Sequence, residues 1–335
     1  MSLYCGIDLH SNNHFICVID EKDNRMFEAK LSNDASLTLK SLSKYKRRLK
    51  GIAVESTYNW YWLVDALMEA GHHVDLVNTA KVVQYEGLKH TNDKYDAFHL
   101  AHLMRLGILP TGHIYQKDTR GLRDLLRKRM QLVQTRSAAL IRFKSMIQLH
   151  SGKTLRADSI KTRKFVIPIV GDSNVQLALQ SEHQLIRALM AQIKLLEVSI
   201  LDQLEPLVEY QLLKSIPGIG EILASTIWLE IGDINRFKSP GNFASYCRCV
   251  NSRRESNGKK KGENNRKNGN KYLAWAFIEA ANFCVRRCEP ARRFCEKKTA
   301  ARNNIVARKA LAHKLSRACY WVIKNREPFE LAKLF

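Results

Sequence analysis

The sequence predicts an α/β domain over residues 1–115, a helical coiled-coil connector over 116–213, and a mainly α domain over 214–335. Three observations carry this. Strand-like and helix-like apolar patterns alternate in the first stretch. Two long runs with apolar steps of three and four fill the second. Short helical patterns punctuated by Gly and Pro fill the third.

Leu3 to Asp8 and Phe15 to Asp20 are apolar runs joined by the turn His10 to Asn13, and Arg25 to Leu31 reads as a third strand. Ser36 to Tyr45 is helical in pattern. Gly51 to Glu55 is a buried strand, Tyr58 to Ala70 an amphipathic helix, and Val74 to Val77 another strand. Thr91-Asn92 starts a helix that continues through Ala97, Leu100, Ala101 and Met104. Three strands, helix, strand, helix, strand, helix is the order of a ribonuclease H-like domain, a mixed sheet with helices on its faces.

Four carboxylates fall at element ends. Asp8 ends the first strand, on the face it shares with Tyr4 and Gly6, and Glu55 ends a later one. Asp93 and Asp96 share one face of a first helical turn. Singly, each suits an ordinary strand end or a helix start favoured by the dipole. Together they would repel unless divalent cations lay between them, and hard oxygen ligands suit Mg²⁺ or Mn²⁺. Two such ions about 3.5–4 Å apart can clamp a scissile phosphate.

Thr119 to His150 carries Leu122, Leu125, Leu126, Met130, Val133, Ala138, Ile141 and Met146 as a broken stripe. Glu182 to Leu213 carries Leu185, Leu189, Ile193, Leu196, Ile200, Leu204 and Leu207. An intramolecular antiparallel hairpin and a dimer arm both satisfy this pattern.

Ser215 to Gly220 (SIPGIG) opens the last third and leads into a helix from Glu221 to Glu230. This reads as a helix-hairpin-helix element, with Gly218 and Gly220 letting backbone amides approach phosphate. A tight turn between helices also fits. Helices are further expected over Pro240 to Tyr246, Lys271 to Arg286 and Asn303 to Asn325, the last with Ile305, Leu311, Leu315, Cys319 and Val322 inward.

Between them, Arg248 to Asn270 holds Arg248, Arg253, Arg254, Lys259, Lys260, Lys261, Arg266 and Lys267 against Glu255 and Glu263. Ser256-Asn257-Gly258 reads as a turn, since Asn and Gly tolerate positive φ. A serine held among cations can meet a phosphodiester. A basic loop that merely touches phosphate is the plainer alternative.

The net charge of +23 suits a polyanion partner. No apolar run of about 18 residues and no signal-peptide pattern occurs, so a cytoplasmic protein without a membrane partner is expected. Eight cysteines then default to free thiols. The spacings Cys247-x-Cys249 and Cys284-x3-Cys288 are not those of a zinc site, and no zinc is expected.

Along nearly its whole length the chain resembles the IS110 family of DEDD-type insertion-sequence transposases. The matching stretches are Gly6-Ile7-Asp8, Val54 to Thr57, Asn92 to Ala97, Pro217 to Gly220, Glu230 to Ile234 and Gly269 to Leu273. The resemblance implies a RuvC-like domain, a coiled-coil connector and a C-terminal transposase domain. It implies an Mg²⁺-binding tetrad, by position Asp8, Glu55, Asp93 and Asp96, and a serine that attacks DNA to form a phosphoserine. That serine matches Ser256, with Ser252 a second candidate because relatives often read Ser-Gly directly. It implies donor and target double-stranded DNA, a non-coding bridge RNA, and dimers assembling into a tetramer. A RuvC-like endonuclease using water, and a non-catalytic nucleic-acid-binding protein, are the alternatives.

Overall fold

The computed structural model describes residues 1–82, 92–162, 164–252, 254–262 and 268–334. Arg253, Arg266 and Lys267, three of the cations expected to bind nucleic acid, lie outside the described residues, as does the side chain of Lys260. The chain forms two compact units, Met1–Lys117 and Asp118–Phe335.

In the first unit, β1 (Leu3–Leu9), β2 (Asn13–Asp20), β3 (Arg25–Ser32), β4 (Leu49–Glu55) and β5 (Val74–Val77) form one sheet in the order β3-β2-β1-β4-β5. The β1–β2 and β2–β3 pairs are antiparallel, and the β1–β4 and β4–β5 pairs are parallel. Helix α1 (Ala35–Leu42) is capped by Asp34, whose carboxylate accepts from the Ser36 and Leu37 amides. With α2 (Tyr61–Glu69) it covers the face bearing Leu3, Cys5, Ile7 and Leu9. Helix α3 (Asp93–Arg105), capped by Asn92, covers the other face, where Ala97 and Ala101 meet Cys17 and Ile19. Strand alternation sets this division.

In the second unit, α4 (Lys117–Ser151, of which Lys117 belongs to the first unit), the short α5 (Ala157–Ile160) and α6 (Ser173–Leu204) form an intramolecular antiparallel hairpin. Arg129 binds Glu197, and Arg142 binds Glu182, so the register falls on one helix as it rises on the other. Most of the expected stripe is packed, Leu126, Met130, Leu189, Ile193, Ile200 and Leu204 being buried, and it departs from expectation locally. Leu140, Phe143, Ile147 and Ile186 are buried, whereas Ile141 is 66% and Leu185 41% exposed. The second run also breaks: Pro206 follows α6 and a separate α7 (Val208–Lys214) begins after it.

Helices α8 (Glu221–Ile231), α9 (Pro240–Tyr246), α10 (Lys271–Arg287), α11 (Glu289–Ala301) and α12 (Asn304–Asn325) complete the unit. The expected inward Ile305 is instead 81% exposed. Ala307 takes the seat one turn before Leu311, and Ile305 lies about 200° around the helix from Ala307. The basic stretch contains a two-stranded ribbon, β6 (Arg254–Ser256) and β7 (Lys259–Gly262). All eight cysteines are free and buried. Among the described residues no helix is long and apolar enough to cross a membrane.

Candidate metal centre and serine hairpin

The parallel β1–β4 register pairs Ile7 with Val54, so Asp8 and Glu55 stand side by side at adjacent strand ends. Both point to the α3 face, because Gly6 and Ala53, two residues before each, are covered by that helix. A Cβ on Gly6 would lie 2.0 Å from the Ala97 carbonyl oxygen and 2.7 Å from the Ala101 amide. Glycine therefore lets the α3 backbone rest on β1, which brings Asp93 and Asp96 to Asp8. The Asn92 cap points the helix N-terminus at the same place, where its dipole favours negative charge.

His10, read from sequence as part of a turn, also belongs here. Its Nε2 lies 3.4 Å from Asp8 Oδ2 and 3.2 Å from Asp93 Oδ1. Its carbonyl accepts from the Asn33 and Asn59 side chains, and Thr57 in turn donates to Asn59. Strand alternation from Asp8 to His10 was the available signal.

The electrostatics are those of crowded carboxylates. Burial, then the bond and charge of Asp8 and the charge of Asp96, push Glu55 up to about 8. Burial and the charges of Asp8 and Asp93 raise Asp96. Asp93, more exposed, is held below the usual range chiefly by its hydrogen bond from His10. Asp8 Oδ2 and Asp96 Oδ1 are buried and accept no hydrogen bond. Orphaned buried carboxylate oxygens are costly without a cation. Asp8, His10 and Asp93 already present ligand atoms within 4.8 Å of one another. The residues thus fit a divalent ion.

In the second unit, the serine segment is clamped at its base. Asn270 N donates to the Tyr246 carbonyl at 2.7 Å, and Arg248 donates twice to the Gly269 carbonyl. A Cβ on Gly269 (φ 98°) would strike the Tyr246 carbonyl oxygen at 2.4 Å. Asn270 caps α10 and donates to Glu230 Oε2 at 2.7 Å. Fully buried Glu230 is gripped by Arg123 and Arg127 from α4. Burial alone would raise Glu230; the Arg127 bond, the two guanidinium charges and Asn270 outweigh it and lower it. This links two sequence stretches, Glu230 to Ile234 and Gly269 to Leu273, in one network.

At the tip, Asn257 (φ 51°) and Gly258 (φ 69°) form the ribbon turn, as the residue types require. Ser256 is exposed and pairs with Lys259 across the ribbon. Cross-strand partners share a face, so Ser256 and Lys259 point one way and Glu255 the other, while Lys261 falls at a register irregularity. Arg254, Lys259 and Lys261 are exposed; Ser252 is half-buried. Gly220, at the α8 N-cap, is exposed. Gly218 (φ 91°) has a packing reason to be glycine: a Cβ there would lie 2.3 Å from the Ala280 carbonyl oxygen of α10.

An acidic cluster fit for divalent metal in one unit, and a serine displayed among lysines in a strongly basic chain, define the class as an enzyme of nucleic acid. Residues 5–151 match the DEDD transposase family of IS110 elements, described as "Transposase". Residues 210–296 match the "Transposase IS116/IS110/IS902 family". A search of curated proteins found no match. The chain belongs to the IS110 family of insertion-sequence transposases, and so acts on DNA.

Proposed function

We propose that this transposase excises and inserts its element through attack of Ser256 on DNA, assisted by divalent metal at Asp8, Glu55, Asp93 and Asp96. The observation that carries the reading is that one chain holds both a cluster of buried, mutually repelling carboxylates and, in its other unit, a serine exposed on a cationic ribbon. In the step, Ser256 Oγ forms a bond to phosphorus, the bond from phosphorus to the leaving DNA oxygen breaks, and the serine proton departs as that oxygen gains one. The phosphoserine keeps the bond energy for rejoining, so no nucleotide cofactor is needed. Lys259, paired with Ser256 across the ribbon, offsets phosphate charge; Arg253, Arg254, Lys260, Lys261, Arg266 and Lys267 are further phosphate contacts by residue type, and Gly218 and Gly220 offer backbone amides.

Asp8, Glu55, Asp93 and Asp96 would hold Mg²⁺ or Mn²⁺, with His10 a further ligand or a support for Asp8 and Asp93. Bound there, such an ion supplies positive charge at a phosphate and acidifies a coordinated hydroxyl. We assign the first unit to the RuvC-like fold, on its strand order and acidic positions. We take 116–213 as connector and 214–335 as transposase domain. The exposed Ile141, Leu177, Leu185 and Leu195 of the connector support a dimer, and two dimers a tetramer in which one copy's serine meets another's tetrad. Specificity for donor and target would rest on a bridge RNA, with the protein reading backbone and shape.

Hydrolysis by water at the acidic cluster is the second reading. It is favoured because Ser256 Oγ has no hydrogen-bonded base among the described residues. A denaturing gel decides between them. Labelled junction DNA with Mg²⁺ and flank-derived RNA should migrate with the protein, and Ser256→Ala should abolish that band while Ser252→Ala keeps it. Cleaved DNA free of protein would establish hydrolysis.

A further inference from the structure

Beside the base of the serine segment lies a groove of about 640 Å³ that neither the serine nor the acidic cluster uses. One wall is Cys249 to Asn251; the others come from α11 and α12. Its apolar lining is unusually open: Ile305 is 81%, Val250 45% and Val306 44% exposed, beside the half-buried ring of Phe294. Around these stand Lys298, Lys309, Lys314 and Arg317, and among the described residues no carboxylate lines the groove. Lys298 and Lys314 sit 5.5 and 5.3 Å from the centre of the Phe294 ring. Lys309 donates to Asn251 Oδ1, tying α12 to the serine segment.

Apolar side chains among four cations, with Asn251 and His313 as the other polar lining and no carboxylate among the described residues, suit a flat base carrying phosphate. The groove has the size of a small-molecule pocket and no room for a duplex. A base lifted out of its stack is received in this way, on apolar and aromatic side chains with its backbone on cations. Asn251 is five residues from Ser256, a reach of at most about 18 Å. At about 3.4 Å per nucleotide, that is at most about five steps from the scissile phosphate.

We infer that this groove receives an unpaired nucleotide of the strand that Ser256 attacks, its base against Val250, Phe294 and Ile305 and its phosphate against Lys309 and Arg317. The inference rests on the serine reading above. It would hold the cut strand apart from its complement while the serine acts.

The test uses the full chain with its RNA and junction DNA carrying 5-iodouracil singly at each position within five nucleotides of the cut. After ultraviolet cross-linking, peptides are mapped by mass spectrometry. One position should cross-link to the peptide containing Phe294, and Ile305→Glu, at an exposed site, should cut that yield at least fivefold with an unchanged melting temperature. If no DNA position reaches α11 or α12 while the Ser256 adduct still forms, the groove proposal fails and the serine reading stands. Labelled RNA reaching Phe294 in place of DNA also overturns it. Cross-linking without any adduct would show that the groove binds DNA but would remove the serine reading and, with it, the inference that the strand held is the one Ser256 attacks.

Discussion

Replacing Gly6 by Ala tests how the metal centre is assembled. The new Cβ would lie 2.0 Å from the Ala97 carbonyl oxygen, against 3.4 Å for an ordinary contact, so backbone must yield by about 1.4 Å. Neither β1 nor α3 can give easily, because β1 is paired on both sides and α3 packs through Ala97 and Ala101. Overpacking of this kind costs about 1–3 kcal/mol. The functional effect should be larger than the loss of stability. Metal ligands must stay within about 0.2 Å of their places, and a 1 Å misplacement can cost about 100-fold in rate. We expect Mn²⁺ affinity, read by calorimetry, to fall at least tenfold, with DNA cleavage falling about 100-fold. Gly121→Ala is the control: nothing lies within 4 Å of that Cβ, and in α4 it should stabilise by about 0.5–1 kcal/mol. Unchanged metal affinity in a folded Gly6→Ala protein would refute the argument that this glycine sets the distance between Asp8 and the α3 carboxylates.

Further outcomes follow from the same charges. Glu55, raised to about 8 in the fold, binds a proton that the unfolded chain releases near the ordinary glutamate value of 4.5. Metal-free protein should therefore lose stability as pH rises from about 4.5 to 8, where the native state holds more protons than the unfolded one. Glu55→Gln should flatten that slope in melting curves, and saturating Mg²⁺ should do the same for the unchanged protein. A slope identical in both proteins would count against a raised Glu55. Glu230→Gln removes the buried carboxylate that Arg123, Arg127 and Asn270 all bind and should cost about 3–5 kcal/mol in urea unfolding; a loss below about 1 kcal/mol would mean the network does not anchor the segment.

The first unit was closely legible because its signals are local. Asp34 and Asn92 cap the helices where such residues should, and β1, β2, β4 and β5 are short apolar runs buried on both faces. The connector was legible in kind and over most of its stripe, and misread in phase around Ile141 and Leu185. Leu140, Phe143 and Ile186 are buried where Ile141 and Leu185 were expected, because neighbouring apolar residues leave the helical period ambiguous until a partner helix selects one face. The ribbon's turn was visible in Asn257-Gly258, but not the strands, since charged residues carry no strand pattern.

Composition and spacing by themselves determined a basic, nucleic-acid-directed chain, the four carboxylates at element ends, and the serine in its cationic segment. These follow from charge and period, which need no third dimension. Tertiary structure alone decided that His10 joins Asp8 and Asp93, that the backbone at Gly218 packs closely on α10, and that Glu230 ties Arg123, Arg127 and Asn270 beneath the serine segment. Each joins residues distant in sequence or depends on how closely two backbones approach. Such distances are set by packing over the whole unit, and no local pattern encodes them.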